Sequence, residues 1–254
     1  MKEIVFSQLT KNYDDLIAID DINLSINRGE FFVVVGPTGC GKTTFLKLIA
    51  GVLEPTRGKI YFDGDLVNDK SPAERRVRMV FEDHALFPHM KVYEEKKYSN
   101  LNFPLKLKNS PLDLIRDRIS DIVNRLGISS TLFDRKPNQL SEGQKQQVAL
   151  GHALTITPEV LLLDEPLRDL DPSSRLKARK EIQELHRDLE STTVYVTHDL
   201  SEAFLLGDRV GVMKEGRFIQ VGEPKEIRNN PRSKFVSDFI ESYTETIKDV
   251  FEEE

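Results

Sequence analysis

Apolar runs bounded by turn residues alternate along the chain with segments whose apolar positions recur every three or four residues, a pattern that predicts an α/β fold. The first third reads mostly as strand. IVFSQL at 4–9, IDDINLSI at 19–26 with Ile22, Leu24 and Ile26 on one face, FFVVV at 31–35 and KIYFDG at 59–64 each fit a strand. Hairpin-like turns are expected at 27–29 and at Asp63-Gly64. One helix interrupts, from Thr43 through FLKLIA to a stop at Gly51.

The character changes over 88–141. Ile115, Ile119, Ile122, Val123 and Leu126 share one helical face, with Ser110 as cap, Pro111 as first helical residue and Gly127 as stop. This reads as a helical insertion between strands of the core. Alternation then resumes: VLLLD at 160–164, a helix over 172–190 burying Ala178, Ile182, Leu185 and Leu189, TVYVT at 193–197, a short helix ending at Gly207, then RVGVMKEG and RFIQVG. The last segment, 231–254, reads as an amphipathic helix with Phe235, Phe239, Tyr243 and Ile247 on one side and an acidic end.

Composition narrows the partners. The 254 residues carry 36 Lys and Arg against 42 Asp and Glu, a net charge of −6, so the basic footprint of a nucleic-acid binder is absent and no nucleic-acid partner is expected. The segment 231–254 holds −4 of that total, which leaves the body nearly neutral. The longest apolar runs, FFVVV and VLLL, fall far below the roughly 18 residues of a membrane span. The start, MKEIVFSQL, lacks the features of a secretory signal, and the single Cys40 cannot form an internal disulfide. A reducing, cytoplasmic location is the expectation.

Three motifs carry chemistry. GPTGCGKTT, comprising Gly36, Pro37, Thr38, Gly39, Cys40, Gly41, Lys42, Thr43 and Thr44, follows a buried strand and precedes a helix. Glycines there let consecutive backbone N–H groups curl around phosphate oxygens, the helix N-terminus adds a positive dipole, Lys42 neutralises the β- and γ-phosphates, and the Thr43 hydroxyl suits Mg²⁺. A nucleoside triphosphate is the implied ligand. VLLLDEP at 160–166 delivers two carboxylates at a strand's C-terminal end: Asp164 to hold Mg²⁺ through water, Glu165 to act as general base. LSEGQ at 140–144 opens a helix, with Ser141 as N-cap and the Gly143 N–H beside it forming a second phosphate-binding helix end.

With THD at 197–199 completing the order, the chain resembles the ATP-binding subunit of an ABC transporter from about Ile4 to Phe239. That resemblance implies a P-loop NTPase of RecA-like core, with an N-terminal antiparallel β subdomain and an inserted α-helical subdomain. The ATPase domain would span 1–232, with its core at about 1–87 and 155–232 and its helical subdomain at about 88–154. A C-terminal helix with an acidic tail would occupy 233–254, with no regulatory β-domain. It further implies a head-to-tail homodimer sandwiching two ATP molecules. One nucleotide meets the phosphate loop, Asp164 and Glu165; the other meets Ser141, Gly143 and Gln144 of the second copy. By the same resemblance His198 contacts the γ-phosphate and orients the water, Asp171 couples the two sites, and Tyr13 stacks on adenine. MVFEDHALFPHMKVYEE and VGEPKEIRNNP resemble the importer branch serving sugars, polyamines, iron or oxyanions, sugars fitting slightly best. Integral permease subunits, docked by the helical insertion, and indirectly an extracytoplasmic solute-binding protein would be the partners. The chain would then sit peripherally on the inner face of the membrane. Two alternatives stay open: a non-transport ABC clamp, and a weakly hydrolysing member of a heterodimer.

Three positions depart from the family. Glu82 stands where Gln is usual and is expected to ligate Mg²⁺ while slowing hydrolysis and making it depend on pH. Glu142 replaces the commoner Gly of the LSxGQ motif, its carboxylate expected to point to solvent. Arg168 replaces a small residue and is expected to form a surface pair with Asp169 or Asp171, the alternative being an approach to the phosphates held by the second copy.

Overall fold

The computed structural model describes residues 1–242; Tyr243 and Ile247 of the expected C-terminal stripe lie outside the described residues. In chain order the elements are β1 (Ile4–Tyr13), β2 (Leu16–Ile26), β3 (Phe31–Val35), α1 (Lys42–Ala50), β4 (Arg57–Phe62), β5 (Asp65–Leu66) and β6 (Val77–Val80). There follow α2 (Phe103–Leu107), α3 (Leu112–Arg125), α4 (Glu142–Leu154), β7 (Val160–Asp164), α5 (Pro172–Leu189), β8 (Thr192–Thr197), α6 (Leu200–Leu206), β9 (Arg209–Lys214), β10 (Arg217–Gly222) and α7 (Pro224–Asn229). Residues 234–242 are helical. The chain divides into two compact units, one of Met1–Val77, Glu159–Leu162 and the residues from Glu190 on, the other of Arg78–Pro158 and Leu163–Leu189.

The first unit contains an antiparallel sheet in the order β2-β1-β4-β5. The β1–β2 hairpin turns at Asp14-Asp15, with Tyr13 opposite Leu16 and Ile4 opposite Ile26. Asp63 and Gly64, at φ 51° and 85°, form the two-residue turn expected between β4 and β5. The turn expected at 27–29 is not a hairpin. It carries the chain from β2 to β3, which belong to different sheets. The reason is burial: all five residues of β3 are buried, so it takes parallel neighbours on both sides rather than returning along half-exposed β2.

The second sheet runs β10-β9-β3-β8-β7-β6, and along β6 and β7 the chain passes from one unit to the other. Parallel registry sets Val35 of β3 opposite Thr197 of β8 and Val212 of β9. Helix α1 buries Phe45, Leu46, Leu48 and Ile49, and the Phe45 ring lies 4.9 Å from Phe6 and 5.4 Å from Phe218. Its C-terminal carbonyls meet a buried cation. Arg75 donates to the carbonyls of Leu48, Ile49, Asn68 and Lys70 at 2.7 to 3.0 Å, and burial pushes its pKa down.

In the second unit α3 buries Ile115, Ile119 and Ile122 as its period predicts. Pro111 is its N-cap rather than its first residue, because the proline is extended at φ −57°, ψ 145°. The segment leading into α2 has almost no regular structure and is held by two fully buried asparagines. Asn100 donates to the carbonyls of Phe87, Met90 and Lys91 and accepts from the Phe87 N–H. Asn102 donates to the carbonyls of Glu94 and Lys97 and accepts from the Ser99 N–H. These side chains satisfy backbone groups that no strand or helix pairs.

Candidate active site

Two loops leave adjacent parallel strands of the first unit at one level. Gly36 follows Val35 of β3, and His198 follows its partner Thr197 of β8, at the carboxyl ends where open α/β sheets hold ligands. The loop after β3 needs its glycines. A Cβ on Gly36 would stand 2.2 Å from the Met213 carbonyl oxygen; Gly41, at φ 109°, would meet the Ala18 carbonyl oxygen at 2.4 Å. Gly41 caps α1, whose first turn carries no acidic residue, so backbone N–H groups and helix dipole present an anion-binding end. Lys42 is buried, and its ammonium donates to the Gly36 and Pro37 carbonyls at 2.8 and 3.1 Å. It thus closes the loop into a ring. Cys40 is buried within that loop. Tyr13, half exposed at the end of β1, has the Lys11 ammonium 5.3 Å from its ring centroid.

His198 is exposed, but its surroundings are fixed. The buried Glu202 carboxylate accepts from the Tyr195 and Thr197 hydroxyls at 2.8 Å, while Asp199 caps α6 through the Ser201 and Glu202 N–H groups. Sequence reasoning missed Glu202. The available signal was Tyr195 inside a wholly buried strand, a hydroxyl that needs a partner.

In the second unit Asp164 ends β7 and is 2% exposed. Glu165 follows in the left-handed region at φ 48°, a conformation that costs a non-glycine residue on the order of 1 kcal/mol or more. Its carbonyl accepts the Arg168 N–H at 3.2 Å, closing a turn. Asp171 caps α5: hydrogen bonds from Ser173 and Ser174 hold its carboxyl well below the usual range. Ser141 caps α4 reciprocally. Its hydroxyl oxygen accepts the Gln144 N–H, and the Gln144 side chain accepts the Ser141 N–H. Ser141, Gly143 and Gln144 line one shallow hollow of about 210 Å³ with Leu170 and Ser174.

One expected pairing is corrected. Arg168 bonds neither Asp169 nor Asp171; its guanidinium donates to Glu82, 86 residues away in sequence. Asp171 is instead taken up by its capping serines. Glu142 is exposed at the N-terminus of α4, as expected; there Lys145 donates to it at 2.6 Å and His84 lies 3.3 Å away, and the Lys145 hydrogen bond leads the lowering of its pKa.

No group of three or more His, Cys, Asp or Glu side chains fit for a metal occurs among the described residues. Thr43 in the first unit, and Asp164 and Glu82 in the second, each carry hard oxygen donors, the chemistry that Mg²⁺ takes beside waters and substrate phosphate oxygens.

The profile of the ABC transporter family matches residues 19–168. The chain belongs to the ABC transporter family. An osmoprotective-compound uptake ATP-binding protein of Synechocystis sp. is 47% identical over 242 residues, covering 95% of this chain and 65% of that protein. The trehalose/maltose import ATP-binding protein of Thermococcus litoralis is 44% identical, covering 91% and 62%. The sn-glycerol-3-phosphate import ATP-binding protein of Bartonella bacilliformis is 44% identical, covering 95% and 69%. The chain therefore spans about two thirds of the length of such relatives. Among solved ABC cassettes, a dimer in a post-hydrolysis state with ADP and Pi superposes with a TM-score of 0.78 at 30% identity, over 87% of this chain and 98% of that one. A cassette of the cbiONQ ABC transporter complex of Clostridium perfringens gives 0.78 at 34% identity, over 94% and 98%.

Proposed function

We propose that the chain is the ATP-hydrolysing subunit of an ABC importer, acting as a head-to-tail dimer on the cytoplasmic face of a membrane and powering a separate permease. The observation that carries the reading is the ring of residues 36–42, closed by Lys42 and opening into the N-terminus of α1. In this reading Lys42 exchanges its two loop carbonyls for the β- and γ-phosphates, and adenine stacks on the face of Tyr13 that Lys11 does not cover. Mg²⁺, when bound, neutralises triphosphate charge, and Thr43, Glu82 and Asp164 would hold it. Glu165 takes the proton of the attacking water and His198 orients that water. Ser141, Gly143 and Gln144 serve the nucleotide of the second copy, and Asp171 couples the two sites.

No helix among the described residues is long and apolar enough to cross a membrane, which suits a subunit that grips a spanning partner. The docking surface proposed for the permease is a groove of about 940 Å³ in the second unit. Lys91, Lys96, Lys97, Lys106 and Lys136 line it with one acid, Glu94, and this charge favours an acidic segment of the permease. The names of the relatives point to a sugar or a similarly polar solute, delivered by a solute-binding protein that this chain does not touch. Phosphate release by the purified chain, alone and with its permease in vesicles, tests the reading. ATP-dependent turnover stimulated by the permease supports it; a chain that binds no ATP overturns it.

A further inference from the structure

The sequence windows 79–90 and 160–174 together hold six carboxylates, Glu82, Asp83, Asp164, Glu165, Asp169 and Asp171, and a single Lys or Arg, which is Arg168. That one permanent cation is spent on Glu82. The backbone that carries it is held at three points. The Arg168 N–H donates to the Glu165 carbonyl at 3.2 Å, and Arg175 donates to the Arg168 and Leu170 carbonyls at 3.4 and 3.1 Å. One side chain thus links residue 82 to the turn that presents Glu165.

We infer that Arg168 is a positioning residue for the hydrolytic reaction, which cancels the charge of Glu82 and ties that carboxylate to the turn carrying Glu165. Triphosphate brings several negative charges, and an uncompensated carboxylate nearby opposes their approach. With Arg168 in place Glu82 is part of a neutral pair, and the strained φ of Glu165 is braced from the far end of its turn. Both partners are about half exposed, so the pair is a weak source of fold stability. Its consequence lies in charge and placement.

The inference rests on the proposed ATPase reading, and its test separates the two. Affinity for a fluorescent ATP analogue in excess EDTA, then in Mg²⁺, is measured for wild type, R168A, E82Q and the double variant, beside kcat and KM for ATP. The R168A change should weaken metal-free nucleotide binding about tenfold or less, in line with one partly screened charge. It should also lower kcat. Adding E82Q to R168A should restore metal-free binding, because the charge that Arg168 cancels has gone. A double variant as defective as R168A, or R168A indistinguishable from wild type, would overturn the inference while leaving ATP hydrolysis standing. Wild type that binds no analogue would instead remove the reading beneath it. Thermal unfolding of all four proteins within a few degrees of one another excludes misfolding as the cause, and Lys in place of Arg168 should rescue binding in EDTA.

Discussion

The two units hold irregular backbone in different ways. In the first, the phosphate loop hangs between a wholly buried strand and a helix whose apolar face is sunk in a core of Phe6, Phe45 and Phe218. In the second, the long segment before α2 is fixed by polar bonds from Asn100 and Asn102 to its backbone. Apolar packing is non-directional and tolerates repacking; a side chain bonded to three carbonyls tolerates no substitute. A loop that must grip a constant ligand can therefore sit on the first kind of support. The second kind defines one shape for a surface that must match a partner.

The sharpest way to break this comparison is chemical. Lys42→Ala in the first unit should abolish ATP binding. Glu165→Gln in the second should keep binding, lower turnover about 10²- to 10⁴-fold and trap an ATP-bound dimer; equilibrium binding, phosphate release and size-exclusion chromatography distinguish the two. Stability comes next. Phe45→Ala should cost about 3–5 kcal/mol, and Asn100→Ala about 3 kcal/mol through stranded carbonyls. Hydrogen exchange should show the Asn100 damage confined to 87–91 and its neighbours; uniform loss of protection across the chain would contradict the local role.

Histidine 152 gives a smaller, pH-dependent effect. Its ring lies by Phe87 and Phe103 and bonds the Asn100 carbonyl at 2.7 Å, and burial is the largest cause lowering its pKa from 6.5. The unfolded chain then binds the proton more readily than the folded one. Its contribution is fully present above pH 6.5 and is lost as pH falls through the depressed folded value. Denaturant titrations should show His152→Gln flattening this acid-side slope. Smallest for stability is Lys91→Glu, which breaks an exposed pair with Asp134 and should leave the unfolding midpoint almost unchanged. It should still weaken permease association, measured by co-sedimentation with vesicles.

The elements with a strong period were legible. The α3 stripe, the buried runs of β3 and β7 and the helix opened by Ser141 all stand where the pattern puts them, because burial on one face writes itself into spacing. What escaped had no period to read. Strand β6 is short and carries Arg78 between its apolar residues. The extension of β1 to Tyr13 is irregular in register and polar. The segment around Asn100 is built by contacts between side chain and backbone, which leave no repeat. At the site, the three motifs announced themselves, yet the partner of Arg168 lies 86 residues upstream and the wrong neighbours, Asp169 and Asp171, are adjacent. Local spacing favours nearby acids; Asp171 was already taken by the N–H groups and hydroxyl that α5 needs capped.

The left-handed backbone at Glu165 sets selection for robustness against selection for turnover. Glycine adopts that conformation without steric cost, so a library screened for heat tolerance alone should enrich Glu165→Gly, and every such clone would lose the proposed base. Any engineering of this cassette for thermal endurance therefore has to score hydrolysis in the same assay, or it will breed sturdy chains that hold ATP and never spend it.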